Sequence, residues 1–198
     1  MSKIVLTSCG LINNNLVNEF KKLFNKNINE LKVLYIPVAI DGDDDNDTEW
    51  IEEELKYLFS IGIKKENFFE YKMDTEIDIL NYDFIYMMGG NTFYLLKKIK
   101  EYNFEKQIKL ALDNNIVYVG SSAGSEILGA TIEVALPYDI NTHGLKDFTG
   151  LKLVDGIIIP HANRKDDFIK KQEKIYNKIY KLYDEHGIII IDNKETEI

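Results

Sequence analysis

Residues 116–128 read Ile-Val-Tyr-Val-Gly-Ser-Ser-Ala-Gly-Ser-Glu-Ile-Leu. An apolar, partly β-branched run leads into six small residues, and a further segment containing apolar residues follows. This order is typical of a buried strand that turns sharply into a helix. The glycines at positions 120 and 124 permit the turn, because they carry no side chain that collides with the neighbouring backbone. The stretch therefore predicts a strand–turn–helix unit of an α/β fold.

The same alternation continues on both sides of this stretch. Segments that are apolar throughout are typical of strands covered on both faces, and strands alternating with helices favour a mostly parallel sheet. We therefore expect residues 1–198 to form one doubly wound α/β sandwich of three layers with a mainly parallel sheet. The other predicted strands lie at 3–7, 32–37, 68–71, 84–88, 156–160 and 187–191, the predicted helices at 14–24, 47–61, 92–100, 105–114 and 166–183, and a strand followed by a long loop at 131–153.

The composition argues against two classes of partner. The net charge is −9, whereas nucleic-acid binding needs a basic surface. No apolar run approaches the roughly 20 residues that cross a bilayer. Cys9 is the single cysteine, which excludes an intrachain disulfide, and the N-terminus lacks a signal-peptide layout. We expect a cytoplasmic protein that needs no metal or other cofactor, with a homodimer as an assembly to be tested.

An acidic run at 41–47 has the spacing of a calcium loop. Its sixth position is Asn46, however, where such a loop needs glycine. We therefore expect a solvated loop in which Asp47 or Thr48 caps the following helix.

Ser122, at the centre of the turn 120–124, is the candidate nucleophile. A strand–turn–helix context holds such a serine up at the strand end, beside the positive end of the helix. An ordinary small-residue turn that binds a phosphate is the alternative interpretation.

A serine nucleophile needs a base, and His161, directly after the apolar strand at 156–160, should emerge at the same sheet edge. The other two histidines, His143 and His186, fit a solvated loop and a helix C-terminus.

A carboxylate should orient the histidine ring. Asp139 lies between Ser122 and His161 in the chain, and Glu133 is its nearest competitor. Either would give the chain order serine, acid, histidine.

A second glycine-rich turn, Gly89-Gly90-Asn91-Thr92, follows another buried strand. The Gly90 and Ala123 amides are candidates for the two donors of an oxyanion hole. Asn91 or Thr92 would also cap the helix that follows.

Three motifs in this order resemble the peptidase E (aspartyl dipeptidase) family: Gly-Gly-Asn-Thr at 89–92, Gly-x-Ser-Ala-Gly at 120–124, and Pro-His at 160–161. That family shares the class I glutamine amidotransferase-like fold with the cyanophycinases. The resemblance implies a serine peptidase that works through an acyl-enzyme without a metal. By position, it implies Ser122 as nucleophile, His161 as base and Asp139 as acid, with Gly90 and Ala123 in the oxyanion hole.

The substrate implied by the resemblance is a small peptide whose first residue is aspartate. Arg164 is the one arginine of the chain and suits capture of a carboxylate, so we expect Asn91, Thr92 and Arg164 to contact substrate. The loop that carries Asp139 departs from the family's Asn-Asp-Met-Pro pattern. A non-catalytic relative that binds a small anion, or an esterase or amidase acting on other substrates, stays open as an alternative.

Overall fold

The computed structural model of the chain describes residues 1–42 and 48–198. Residues 43–47 are outside the described residues, so the expectations for the acidic run and for Asp47 as a cap are not addressed. Thr48 precedes its helix without a side-chain capping hydrogen bond. The strands are β1 Lys3–Thr7, β2 Val33–Ile36, β3 Phe68–Glu70, β4 Phe84–Met87, β5 Val117–Ser121, β6 Ile157–Ile159, β7 Ile179–Lys181, β8 Gly187–Ile191 and β9 Lys194–Glu197.

Seven of these strands form one sheet in the order β3-β2-β4-β5-β1-β8-β9. The five strands from β3 to β1 are parallel, and β8 and β9 add to the β1 edge in antiparallel fashion. The expected mainly parallel sheet is confirmed. Its register brings the carboxyl ends of β1, β4 and β5 to one edge, because Leu6 pairs with Gly120 and Met87 pairs with the same glycine.

Helices cover both faces of this sheet. Alternate residues of each central strand point to opposite faces, so Ile85 belongs to one hydrophobic cluster while Tyr86 belongs to the other. The first cluster contains residues of the helices Thr92–Glu101 and Glu105–Asp113, and the second contains residues of the helices Asn14–Lys21 and Glu49–Ser60. This is the expected three-layer doubly wound sandwich. The helices are α1 Asn14–Lys21, α2 Glu49–Ser60, α3 Thr92–Glu101, α4 Glu105–Asp113, α5 Ala123–Glu126 and α6 Asp166–Gln172.

The C-terminal third differs from the sequence prediction. The single helix expected at 166–183 is wrong: α6 ends at Gln172, and β7 then pairs in parallel with β6 in a separate two-stranded sheet. The strand expected at 156–160 is therefore not part of the main sheet. In the stretch 131–153, the expected strand is reduced to an isolated bridge between Thr131 and Thr149 and a short 3-10 turn.

In the described part of the chain, no helix has the length and apolar character that a membrane crossing requires.

Candidate active site

Ser122 occupies a strained turn between β5 and α5. Its backbone has φ 46° and ψ −111°, a conformation that side-chain-bearing residues rarely adopt. The Ser122 amide donates to the Thr7 carbonyl at 3.0 Å, which ties the turn to the end of β1. A side chain at Gly124 would collide with the carbonyl of Met87 on β4, so glycine is required there. This geometry is the sharp strand-to-helix turn that the sequence predicted.

His161 reaches Ser122 as expected. The Ser122 Oγ and the His161 Nε2 lie 3.1 Å apart, so the predicted hydrogen-bond reach is confirmed. His161 follows β6 with a left-handed backbone, φ 53°. Its amide donates to the Ser8 Oγ at 3.0 Å, and that hydroxyl donates to the Leu182 carbonyl at 2.8 Å. Ser8, after β1, therefore joins the small sheet to the main one.

The carboxylate that holds the imidazole is Asp184. Its Oδ1 lies 2.6 Å from the His161 Nδ1, and its Oδ2 accepts from the Asn163 Nδ2 and the Arg164 Nη2, both at 2.8 Å. Asp184 comes just after β7, the strand that runs beside β6. The pairing of β6 with β7 thus delivers the acid to the histidine.

Asp139 was predicted to orient the histidine ring, with Glu133 as its competitor. Both carboxylates bind other groups, so the predicted contact with His161 is wrong. The Asp139 Oδ2 accepts from the Thr92 amide at 2.8 Å, at the N-terminus of α3 where a negative charge is favoured. The exposed Glu133 accepts from the Tyr176 hydroxyl at 3.4 Å. Both candidates precede His161 in the chain, whereas Asp184 follows it.

The pKa values of this pair fit a neutral histidine beside an ionised carboxylate. Burial lowers the pKa of His161 below its ordinary 6.5, although the hydrogen bond and charge of Asp184 oppose the shift. Burial raises the pKa of Asp184, but the hydrogen bonds from His161 and Asn163 outweigh this and hold it at about 2. At neutral pH the Nδ1 atom then carries the ring proton toward Asp184, and the Nε2 atom faces Ser122 as an acceptor.

The two predicted oxyanion donors lie on the turns that meet at Ser122. A side-chain carbon at Gly89 would stand 3.0 Å from the Ser122 Cβ, which shows how closely the two turns approach. Gly90 has φ 127° and lines the cavity. Neither the Gly90 nor the Ala123 amide donates a hydrogen bond to another described group. Their role as oxyanion donors stays a prediction.

The predicted substrate contacts are divided among different tasks. The Asn91 Oδ1 caps α3 by accepting from the Tyr94 amide at 2.9 Å, and its Nδ2 donates to the Ile140 carbonyl at 3.0 Å. Thr92 lines the cavity. Arg164 also lines it, but its side chain is 70% exposed and is paired with Asp184. The guanidinium is therefore already bound to the carboxylate beside the histidine.

A cavity of about 770 Å³ opens over Ser122, and Glu126, Asp139 and Lys165 are among the residues that line it. Glu126 is 4% exposed, and its Oε1 atom has no hydrogen-bond partner among residues 1–42 and 48–198. Lys165 lies 3.8 Å over the ring of Tyr138 and forms no ion pair with a described residue. Burial raises the pKa of Glu126 well above its ordinary value, and the charge of Asp139 raises it further. Burial lowers the pKa of Lys165, although the charges of Glu126 and Asp139 oppose this shift.

Cys9, which lies near the histidine, and Glu54 also line the cavity. The Cys9 Sγ lies 4.0 Å from the His161 Nδ1, and burial raises the pKa of the thiol to about 12. Glu54, from α2, accepts from the Tyr86 hydroxyl at 2.6 Å, and burial raises its pKa to about 7.

The sequence interpretation missed Asp184, Glu126 and Lys165. One signal could have found Asp184: the run Ile-Tyr-Lys-Leu-Tyr at 179–183 is β-prone and ends directly before it. No comparable signal marked Glu126, because the helix that contains it has only four residues.

The chain is similar to known peptidases in sequence and in fold. The sequence profile of peptidase family S51 matches residues 4–196. The chain is 30% identical over 187 residues to the “Uncharacterized peptidase Lmo0363” of Listeria monocytogenes, covering 87% of this chain and 88% of that protein. It is 32% identical over 137 residues to a “Probable alpha-aspartyl dipeptidase” of Drosophila melanogaster, covering 69% of this chain and 54% of that protein. A crystal structure described as a “Putative Peptidase E Protein” from Listeria monocytogenes covers all of this chain and 98% of its own, with TM-score 0.82 and 26% identity.

Proposed function

The chain belongs to peptidase family S51 and is a serine-type peptidase, and on this premise we propose that it cleaves small peptides through an acyl-enzyme on Ser122. The observation that carries the proposal is the hydrogen-bonded series Ser122, His161, Asp184, with distances of 3.1 Å and 2.6 Å. A serine hydroxyl is a weak nucleophile until an adjacent base accepts its proton. The His161 Nε2 is that base.

In the first half-reaction, the Ser122 Oγ attacks the peptide carbonyl while its proton passes to the His161 Nε2. Asp184 stabilises the imidazolium that forms and keeps the ring in the required orientation. The Gly90 and Ala123 amides stabilise the oxyanion. His161 then donates the proton to the leaving amine, the peptide C–N bond breaks, and the acyl-enzyme remains.

In the second half-reaction, water attacks the acyl-enzyme. His161 accepts a proton from this water and returns it to the Ser122 Oγ as the ester bond breaks. The products are an acid, an amine and the free enzyme. All proton transfers run through one imidazole, which agrees with the lowered pKa of His161: the ring is neutral and ready to accept at neutral pH.

The test is covalent labelling together with turnover. Wild-type protein should hydrolyse members of a dipeptide panel and react once per chain with a fluorophosphonate probe. Ser122→Ala should abolish both, and His161→Ala should lower both strongly. Ser121→Ala is the matched control, because the Ser121 hydroxyl faces the Ser8 carbonyl and not His161. Labelling and turnover that survive in Ser122→Ala would refute the proposal.

For the substrate, we propose a dipeptide with N-terminal aspartate, as the name of the Drosophila relative suggests. Lys165 supports this, because it is a half-buried ammonium group in the cavity without an ion pair to a described residue. Lys165→Met should raise the KM for Asp-Leu about tenfold and leave that for Ala-Leu unchanged, since a single charge-assisted hydrogen bond contributes ~1.5–3 kcal/mol. Equal rates for Asp-Leu and Ala-Leu in the wild type would exclude this preference.

The same panel addresses the remaining alternatives. An esterase or amidase would label with the probe and hydrolyse activated esters but no dipeptide. A non-catalytic anion-binding relative would do neither. We also propose a cytoplasmic location, because Cys9 is a free thiol and a reducing compartment keeps thiols in that form. Cell fractionation tests it.

A further inference from the structure

Three atoms that can bind a metal converge on the side of His161 that faces away from Ser122. They are the Cys9 Sγ, the His161 Nδ1 and an oxygen of Asp184, and all lie within 4.8 Å of one another. The three residues follow β1, β6 and β7, so the fold brings them together from distant parts of the chain. Peptide hydrolysis through Ser122 makes no use of the Cys9 thiol.

The donor set is the kind that Zn²⁺ prefers. Zinc takes thiolate sulfur at about 2.3 Å and imidazole nitrogen or carboxylate oxygen at about 2.0–2.2 Å, in tetrahedral geometry. Those bond lengths separate sulfur from nitrogen by about 3.5 Å and nitrogen from oxygen by about 3.4 Å. The present separations are 4.0 Å from the Cys9 Sγ to the His161 Nδ1 and 2.6 Å from that nitrogen to the Asp184 Oδ1. Side-chain shifts of less than about 1 Å therefore build three zinc bonds, and water from the cavity can supply the fourth ligand.

We propose that Cys9, His161 and Asp184 form a zinc site whose occupation switches the peptidase off. The inhibitory effect rests on the function proposed above, whereas the binding does not. Zinc on the Nδ1 atom takes the position of the ring proton, so the neutral imidazole carries its proton on Nε2 instead. Nε2 then donates and cannot accept the proton of Ser122. Zinc also withdraws Asp184 from the histidine.

The proton balance is defined. The Cys9 thiol loses its proton to solvent when sulfur binds the cation, because a coordinating thiol is deprotonated by the metal. The histidine keeps one proton, which moves from Nδ1 to Nε2, and Asp184 is ionised before and after. One proton is thus released per ion bound. Charged groups near the thiol have opposite effects on a bound cation. The negative charges of Asp184 and Glu54 favour it, and the positive charge of Arg164 opposes it.

The experiment compares zinc binding and inhibition in the full-length protein. Wild-type protein should bind one Zn²⁺ in titration calorimetry, release about one proton per ion as judged from buffers of different ionisation enthalpy, and lose peptidase activity over the same concentration range. A chelator should restore activity. Cd²⁺ should act similarly and Mg²⁺ should not, because a thiolate selects soft ions.

Cys9→Ser is the decisive variant. It should bind zinc at least about 100-fold more weakly, and its activity, measured relative to its own rate without zinc, should resist inhibition to the same extent. His161→Ala should also lose binding, whereas His186→Ala, a histidine outside the cluster, should bind like wild type. Equal zinc affinity of Cys9→Ser and wild type would overturn the site, as would absence of binding to wild type.

The two proposals fail separately. If zinc binds through Cys9 but Ser122 neither labels nor turns over substrate, the site stands and the proposed mechanism falls. If zinc binds through Cys9 and an active enzyme is not inhibited, the switch is overturned.

Discussion

Two carboxyl groups near Ser122 have opposite surroundings: Asp184 contacts His161, and Glu126 lines the cavity. Asp184 accepts hydrogen bonds from three side chains, and its pKa is held at about 2. Glu126 is almost fully buried, one of its oxygens has no partner among the described residues, and its pKa is raised well above the ordinary value. The difference separates two tasks. The hydrogen bonds of Asp184 are made within the protein and hold His161 in place for proton transfer. Glu126, in contrast, has an oxygen without a partner among the described residues, which a ligand could satisfy.

The largest effect should come from Asp184→Asn compared with Asp139→Asn. Losing the Asp184 charge removes the partner of the imidazolium and favours the wrong tautomer, so kcat should fall about 10³–10⁴-fold with KM little changed. Asp139→Asn should stay within about tenfold of wild type, because Asp139 caps α3 and does not touch the histidine. Steady-state kinetics of both variants on one substrate provide the test. Similar losses of kcat in the two variants would show that Asp184 has no special role beside the histidine.

The next effect is on stability, through Glu126→Gln. The pKa of Glu126 is higher in the folded protein than its ordinary 4.5, so the folded state binds the proton more tightly, and ionisation at rising pH opposes folding. The variant should match wild type near pH 4 and become more stable above it, by about 1–3 kcal/mol at pH 8. Urea unfolding at several pH values measures this. A difference that does not change with pH would contradict the assignment of a buried, unpartnered carboxyl group.

The pH profile of kcat/KM should follow His161. Activity needs the neutral ring, so the rate should fall about tenfold per pH unit below a midpoint lower than 6.5. Because Asp184 raises the pKa of His161, the residual activity of Asp184→Asn should have its midpoint at still lower pH. A midpoint above 6.5 in wild type would show that burial does not govern this histidine.

The smallest effect should come from Arg164→Ala. The Arg164 side chain is 70% exposed, and Asp184 keeps its bonds to His161 and Asn163 without it. An exposed ion pair contributes only ~0–1 kcal/mol, so kcat should change about threefold or less. Kinetics on the dipeptide panel would detect a larger role, for which loss of more than about tenfold on acidic substrates alone would be the sign.

The sequence predicted the architecture because apolar runs and the small residues at 120–124 define the strand ends of the main sheet. The Ser122–His161 contact was predicted correctly, but the shared sheet edge expected for it was wrong, because β6 lies in the separate two-stranded sheet. Asp184 was missed because a segment as short as 173–183 fits helical and strand periodicity about equally well. Once 166–183 was taken as one helix, no strand remained to deliver an acid beside His161.

The charged wall of the cavity depends on packing that has no sequence signature. Glu126 belongs to a helix of only four residues, too short to show which face is buried. Lys165 lies between a 3-10 turn and α6, and its ammonium group contacts the ring of Tyr138, which is distant in the chain. Side-chain contacts across such distances follow from the fold and not from spacing along the chain.

The division of strands between two sheets has a mechanical consequence. His161 and Asp184 are both carried by the small β6–β7 sheet, while Ser122 is carried by the main sheet. A sliding of the small sheet by about 1 Å would therefore pull the proton acceptor off the nucleophile, at a cost of about 10²-fold in rate, and leave the acceptor and its acid coupled to each other. Catalytic activity therefore depends on the relative position of the two sheets. The Ser8 hydroxyl helps to fix that position, because it accepts from the His161 amide and donates to the Leu182 carbonyl.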